Sequence, residues 1–103
     1  MLSRTADHLF WMSRYTERAE NTARLLNVHY ETSLLPQSAA MAEYGWVGIL
    51  SLSELLPAYT ARHGEVTAQG VMEFMVLDES NPASIMTCLK AARENARAVR
   101  GTL

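Results

Sequence analysis

Arg14-Tyr15-Thr16-Glu17-Arg18-Ala19-Glu20-Asn21-Thr22-Ala23-Arg24 is the stretch on which the reading of the fold turns. It sits mid-way along an apolar-periodic run from Ser3 to Leu35 that contains neither Gly nor Pro before Pro36. An unbroken helical period over that span predicts a single long helix with the charged stretch at its centre. At helical spacing Arg14, Glu17, Asn21 and Arg24 share one stripe, which Phe10 continues a turn earlier and Val28 a turn later. Apolar ends around an ionic middle predict a helix–helix contact with a polar network inside it.

Around this stripe the same helix carries two apolar faces, Leu9, Met12, Ala19, Ala23, Leu26 and Tyr30 on one side and Trp11, Tyr15, Arg18, Thr22 and Leu25 beside it. Asp7, Ser13, Glu20, Asn27 and Glu31 make a solvated side. Ser3 or Thr5 can cap the start, with Asp7 complementing the dipole. Two apolar faces predict burial on more than one side.

Downstream, Gln37 to Ala42 reads as a turn, and Tyr44 to Leu52 as a buried segment weakened by Gly45 and Gly48. Ser53 is the expected cap of a short helix from Glu54 to His63, with Pro57 near its first turn and Gly64 as its stop. Thr67 caps Ala68 to Leu77, whose inward face is Val71, Phe74 and Met75. Asn81-Pro82 reads as N-cap and first helical residue of a last helix running from Pro82 to about Arg100. Its expected seam is Ile85, Leu89, Ala92, Ala96 and Val99. A first helix of some 30 residues is ~45 Å long, whereas a compact chain of this size has a radius of gyration near ~13 Å. The expected fold is therefore all-α: an elongated helical bundle with long first and last helices and shorter ones between.

The chain's 103 residues suffice for one domain with one core. Its 49% apolar and 19% charged residues suit a soluble globular protein. Charge is uneven along it: an acidic middle precedes a last helix bearing Lys90, Arg93, Arg97 and Arg100. A net charge of −2 argues against nucleic acid as a partner. No apolar run has the length of a membrane span, no signal peptide is recognisable, and the single Cys88 fits a reducing cytoplasm. A soluble cytoplasmic protein is the expectation.

Two readings of the polar residues compete. Arg14, Glu17, Arg18, Glu20, Asn21 and Arg24 can line a cleft for a carboxylate or phosphate, which Arg forks match. Alternatively they pair with Glu94, Asn95 and Arg97 to fix the register of the first and last helices, Arg93 belonging to the same cluster. Closed pairing of that kind makes Glu17→Ala cost ~2–4 kcal/mol. No Glu is followed by His three residues on, so His8, His29 and His63 predict no metal site. With no Gly-rich phosphate loop, no cofactor is predicted either. Cys88 reads as a small core residue rather than a nucleophile.

Leu2-Ser3-Arg4-Thr5-Ala6-Asp7, Trp11-Met12 and the run from Arg14 to Leu26 resemble the opening of the bacterial alpha-E domain family, a helical domain marked by a Glu-Arg (ER) motif, here Glu17-Arg18. Asn81-Pro82-Ala83-Ser84-Ile85 and Ala92-Arg93-Glu94-Asn95-Ala96-Arg97 resemble a second block of it. His8 departs from the Asn usual there. The resemblance implies that residues 1–103 are a single all-α domain forming the N-terminal part of a longer family domain. It also implies association with ATP-grasp-type peptide ligases and transglutaminase-like proteins. The expected function is a non-catalytic helical interaction module; the alternative is part of an enzyme of amide-bond formation or modification whose Arg/Glu cluster binds an acidic or amide substrate. Large side chains left wet on the first helix predict a homo-oligomer, a homodimer with Trp11 or Tyr15 at its interface.

Overall fold

The computed structural model describes residues 2–36 and 38–100. Those residues form α1 (Leu2–Ser33), α2 (Ala39–Leu52), α3 (Leu56–His63), α4 (Ala68–Val76) and α5 (Ile85–Arg100), with no strand among them. The first helix is unbroken for 32 residues. Its last turn tightens through Leu34 and Leu35 amides donating to the Glu31 and Thr32 carbonyls, just before Pro36. The bundle is elongated as expected, 56 × 27 × 17 Å with a radius of gyration of 16.4 Å.

The burial pattern of α1 shows which face holds the fold together. Thr5, His8, Met12, Tyr15, Ala19, Thr22, Leu26, His29 and Ser33 are buried or half-buried, and they follow one another in alternating steps of three and four residues. On α5 Ile85, Cys88, Ala92, Asn95 and Val99 do the same. That stepping is a heptad repeat, which keeps two long helices facing each other along their length. The two run antiparallel, with His8 bonded to Asn95 at one end and Leu26 beside Ile85 at the other, and this pairing is the most extensive between any two elements. Ala19 (4% exposed) and Ala92 (7%) lie on the facing seams and permit a close approach.

Only the C-terminal half of α1 has a second layer. Leu26 joins Trp46, Ile49 and Leu50 of α2, Tyr59 of α3 and Val71, Phe74 and Met75 of α4 in one core cluster. Burying each such large side chain contributes ~1.5–3 kcal/mol. Towards its N-terminus, the described neighbour of α1 is α5. Leu9, Phe10 and Trp11 there remain 42%, 55% and 39% exposed, so the expected burial of α1 on more than one side holds for half its length.

Local chemistry sets the helix ends, and three differ from the sequence-based expectation. Within the expected Gln37–Ala42 turn, Gln37 lies outside the described residues, and Ser38 starts α2 by accepting from the Met41 amide at 3.1 Å. Gly45 is tolerated there because a Cβ would collide with the ring of His29. Ser53 is not the cap of α3; it closes α2 by donating its amide to the Ile49 and Ser51 carbonyls. Glu54 then turns the chain at φ 58°, and α3 starts at Leu56 with Pro57 in its first turn. Thr67 does cap α4, accepting from the Gly70 amide at 3.0 Å. The last helix begins at Ile85, not Pro82. The Asn81 side chain turns inward, donating from Nδ2 to the Phe74 carbonyl at 3.0 Å. Residues 81–84 form a turn, and Ser84 Oγ accepts from the Thr87 amide at 3.1 Å. The seam of α5 consequently takes in Cys88 and Asn95, while Leu89 is 48% exposed.

Candidate functional site

The charged stretch that marks the sequence faces away from the seam. Arg14, Glu17, Arg18, Glu20, Asn21 and Arg24 are all exposed, as are Phe10 and Val28 at the ends of their stripe. The predicted closed network between α1 and α5 is therefore not formed within one chain. Two ways of seating α1 on α5 were open, and burial of Met12, Tyr15, Ala19 and Leu26 decides between them. Turning the ionic stripe inward would desolvate the charges of Arg14, Glu17 and Arg24 for little net gain.

The ten candidate residues fall into separate groups. Arg18 places its guanidinium 5.6 Å from the centroid of the Tyr15 ring on its own helix. Glu94 and Arg97 pair one turn apart on α5 at 3.7 Å, with both side chains more than half exposed. Arg14, Glu17, Glu20, Asn21, Arg24 and Arg93 have no side-chain partner among the described residues. Asn95 hydrogen-bonds from one long helix to the other. Its Oδ1 lies 2.9 Å from His8 Nδ1, and its Nδ2 donates to the Ala91 carbonyl at 2.8 Å. A polar link between α1 and α5 is thus His8–Asn95. Both are polar residues at seam positions of their helices, the pattern that exposes them in the sequence once the three-four stepping is recognised.

A polar clasp at the other end joins the end of α3 to the loop between α4 and α5. Asp78 accepts at Oδ1 from the Ser80 amide (2.8 Å) and hydroxyl (2.7 Å), and Arg62 Nε lies 2.9 Å from Oδ2. The hydroxyl bond from Ser80 chiefly, with its amide and the Arg62 charge added, outweighs partial burial and holds the Asp78 carboxyl below its ordinary value. His63 Nε2 stands 4.0 Å from the same carboxylate, its ring stacked on Tyr59 with centroids 4.8 Å apart. Lys90 pairs with Glu79 next to this clasp. The Ser80 hydroxyl donates to the Asp78 carboxylate, whose lowered pKa makes it a poor base for activating a nucleophile.

Three grooves among the described residues lie away from the charged side chains of the Arg14–Arg24 stretch. A groove of about 290 Å³ is lined by Ala23, Leu26, Asn27, Tyr30, Met72, Val76 and Ile85. Two shallower ones of about 260 Å³ lie on α2, around Tyr44, and beside the clasp, around Arg62, His63 and Asp78. None of the ten candidate residues lines any of the three. Among the described residues no three His, Cys, Asp or Glu side chains are grouped as a metal ion requires. Burial pushes the Cys88 thiol up despite the nearby Arg18 charge, which keeps it protonated and unreactive. No helix among the described residues is long and apolar enough to cross a membrane.

What the arrangement offers chemically is therefore a surface rather than a pocket. Along the outer face of α1, acids and guanidinium groups alternate between exposed Phe10 and Val28, with Trp11 and Leu25 on one flank. Phe10 and Trp11 stand edge-to-face with centroids 5.3 Å apart. Comparison with curated proteins and with solved structures finds no match. One family model matches residues 1–103, that of a predicted alpha-helical domain with a conserved ER motif, and the chain belongs to this family, Alpha-E.

Proposed function

We propose that this chain is a non-catalytic helical interaction module that offers the outer face of α1 to another protein. The observation behind the proposal is the position of the family's motif: Glu17 and Arg18 are exposed and lie outside the core cluster. A motif that is exposed and outside the core is available for contact with something else. The resemblance to alpha-E proteins points to ATP-grasp-type peptide ligases or transglutaminase-like proteins as the partners.

The enzymatic alternative draws on the same openness, since Arg14, Arg18 and Arg24 are free to hold an acidic or amide substrate. It ranks second because these groups spread along three turns of one helix and face no opposing wall. Substrate binding needs groups converging from several directions on one concave site. Affinity capture from the source cells, with wild type and Arg18→Glu side by side, tests the module. Recovery of an ATP-grasp-type or transglutaminase-like protein by wild type alone is the expected result. Recovery of the same proteins by both would remove the outer face from the account. Amide ligation by the purified chain alone would replace the module with the enzyme.

A further inference from the structure

The outer stripe of α1 has the same stepping as its buried seam. Asp7, Phe10, Arg14, Glu17, Asn21, Arg24 and Val28 succeed one another in alternating steps of four and three residues. Such a face can pack along a second helix over its whole length without drifting off it. Its charge order is then the question, because that order fixes which helix fits.

Parallel pairing with a second α1 sets every charge against its own copy, Arg14 on Arg14 and Glu17 on Glu17, and is repulsive throughout. Antiparallel pairing allows several registers, each one heptad from the next. In one, Arg14 meets Arg24 of the second copy and Asp7 meets Glu31. In another, Asp7 meets Glu17. A third sets Glu17 on Val28 and carries Phe10 past the end of α1 towards Leu35. The remaining register places Arg14 against Glu17 of the second copy and Asp7 against Arg24, and two-fold symmetry makes each pair twice. Every charge on the stripe between Asp7 and Val28 then faces its opposite. On the flank where Trp11, Arg18 and Leu25 lie, the same register brings Trp11 opposite Arg18 of the second copy. A guanidinium over an indole face is a favourable contact. Leu25 comes opposite Arg4, whose aliphatic stem can cover it.

We infer that two copies of this chain associate through the outer faces of α1, antiparallel about a two-fold axis near Tyr15 and Thr16, in the register that pairs Arg14 with Glu17 and Trp11 with Arg18. This rests on the reading of that face as a docking face and names a second copy as its occupant. Both residues of the ER motif then contact the second copy, Glu17 in the seam and Arg18 on its flank. The contact is more ionic than apolar, so it is reversible and weakens as salt rises.

Charge reversal tests both the face and the register by sedimentation equilibrium from micromolar to near-millimolar concentration at low salt. Wild type gives twice the 11.5 kDa chain mass at the upper end. Glu17→Arg and Arg14→Glu each set like charges against each other twice and raise the dissociation constant by tenfold or more, on the order expected for reversing two symmetric pairs. They shift net charge in opposite directions, so a loss of dimer in both is not an effect of net charge. The double variant Arg14→Glu/Glu17→Arg exchanges the partners and restores dimerisation. Both positions of change are exposed, and an unchanged circular dichroism spectrum verifies the fold. Wild type that stays monomeric throughout overturns the inference, as does a dimer indifferent to both single reversals. Single reversals that dissociate it without rescue by the double variant overturn the register. Such a failure leaves the interaction module standing if ligase-type partners are still captured through Arg18; capture independent of Arg18 removes the docking face itself.

Discussion

Glu17→Ala separates the two accounts of the charged stretch by a stability measurement. A Glu17 locked between α1 and α5 costs ~2–4 kcal/mol when removed, because its loss strands a buried cation. The structure gives another magnitude. Glu17 is exposed and has no ion pair among the described residues, so the change falls within ~0.5 kcal/mol of neutral, as surface substitutions do. Ala also has slightly the higher helix propensity. Leu26→Ala is the matched change on the opposite face. Leu26 is 2% exposed inside the cluster that ties α1 to α2, α3 and α4, and its truncation costs ~2–5 kcal/mol through lost transfer energy and the cavity left behind. With a urea dependence of ~1–3 kcal/mol/M for small domains, Leu26→Ala lowers the unfolding midpoint by on the order of 1 M or more. Glu17→Ala moves it by about 0.5 M at most. Far-UV circular dichroism in urea, at low micromolar concentration to keep the chain monomeric, reads both. A Glu17→Ala loss comparable to that of Leu26→Ala would refute the outward placement of the motif.

Three further outcomes follow from specific contacts. Gly70→Ala destabilises by ~1–3 kcal/mol, because its Cβ collides with the Tyr59 hydroxyl that donates to the Glu65 carbonyl; Gly48→Ala, with nothing within 4 Å of the new Cβ, stabilises by ~0.5–1 kcal/mol, and thermal melts of the pair show opposite signs. Cys88, 0% exposed and with its thiol pushed up by burial, reacts with a disulfide reagent only as fast as the chain opens, so its rate rises steeply in urea. Asp78 has its carboxyl held below the ordinary 3.8, so its stabilising contribution is complete above that pH and is lost as pH falls through its folded-state value. Asp78→Asn accordingly loses less stability than wild type on acidification below pH ~4, as paired urea titrations at several pH values measure.

The order and type of the helices were legible because their signals are local. A run free of Gly and Pro gives α1, Thr67 gives the start of α4, and the length of α1 dictates an elongated shape. The start of α5 was misplaced because Asn81 carries two competing uses, helix cap and buried donor to the Phe74 carbonyl. Only the tertiary position of α4 decides between them. The choice of face on α1 was harder. Two apolar stripes and an ionic one were visible, but the true seam runs between the apolar stripes and borrows His8, Tyr15 and Thr22 from positions that look polar or aromatic. The heptad stepping of half-buried residues identifies it, and that stepping matters only once α5 is known to be a long antiparallel partner.

The same repeat on opposite sides of α1 bears on what the family motif is for. A helix needed only for the hairpin with α5 requires one patterned face, and its other side is then free to carry any soluble residues. Here the outer face alternates Asp7, Arg14, Glu17 and Arg24 in heptad step and interrupts them with Phe10 and Val28, both more than half exposed. An isolated surface helix gains little from such order, since single exposed ion pairs contribute ~0–1 kcal/mol and exposed Phe and Val contribute nothing to its folding. The order has value where a second helix lies against it, because there sign and spacing set orientation and register. The ER motif that defines the family stands on this patterned face, at a distance from the core cluster and outside every groove described. On the proposed reading, that position serves recognition between helices rather than the folding of the helix that bears the motif.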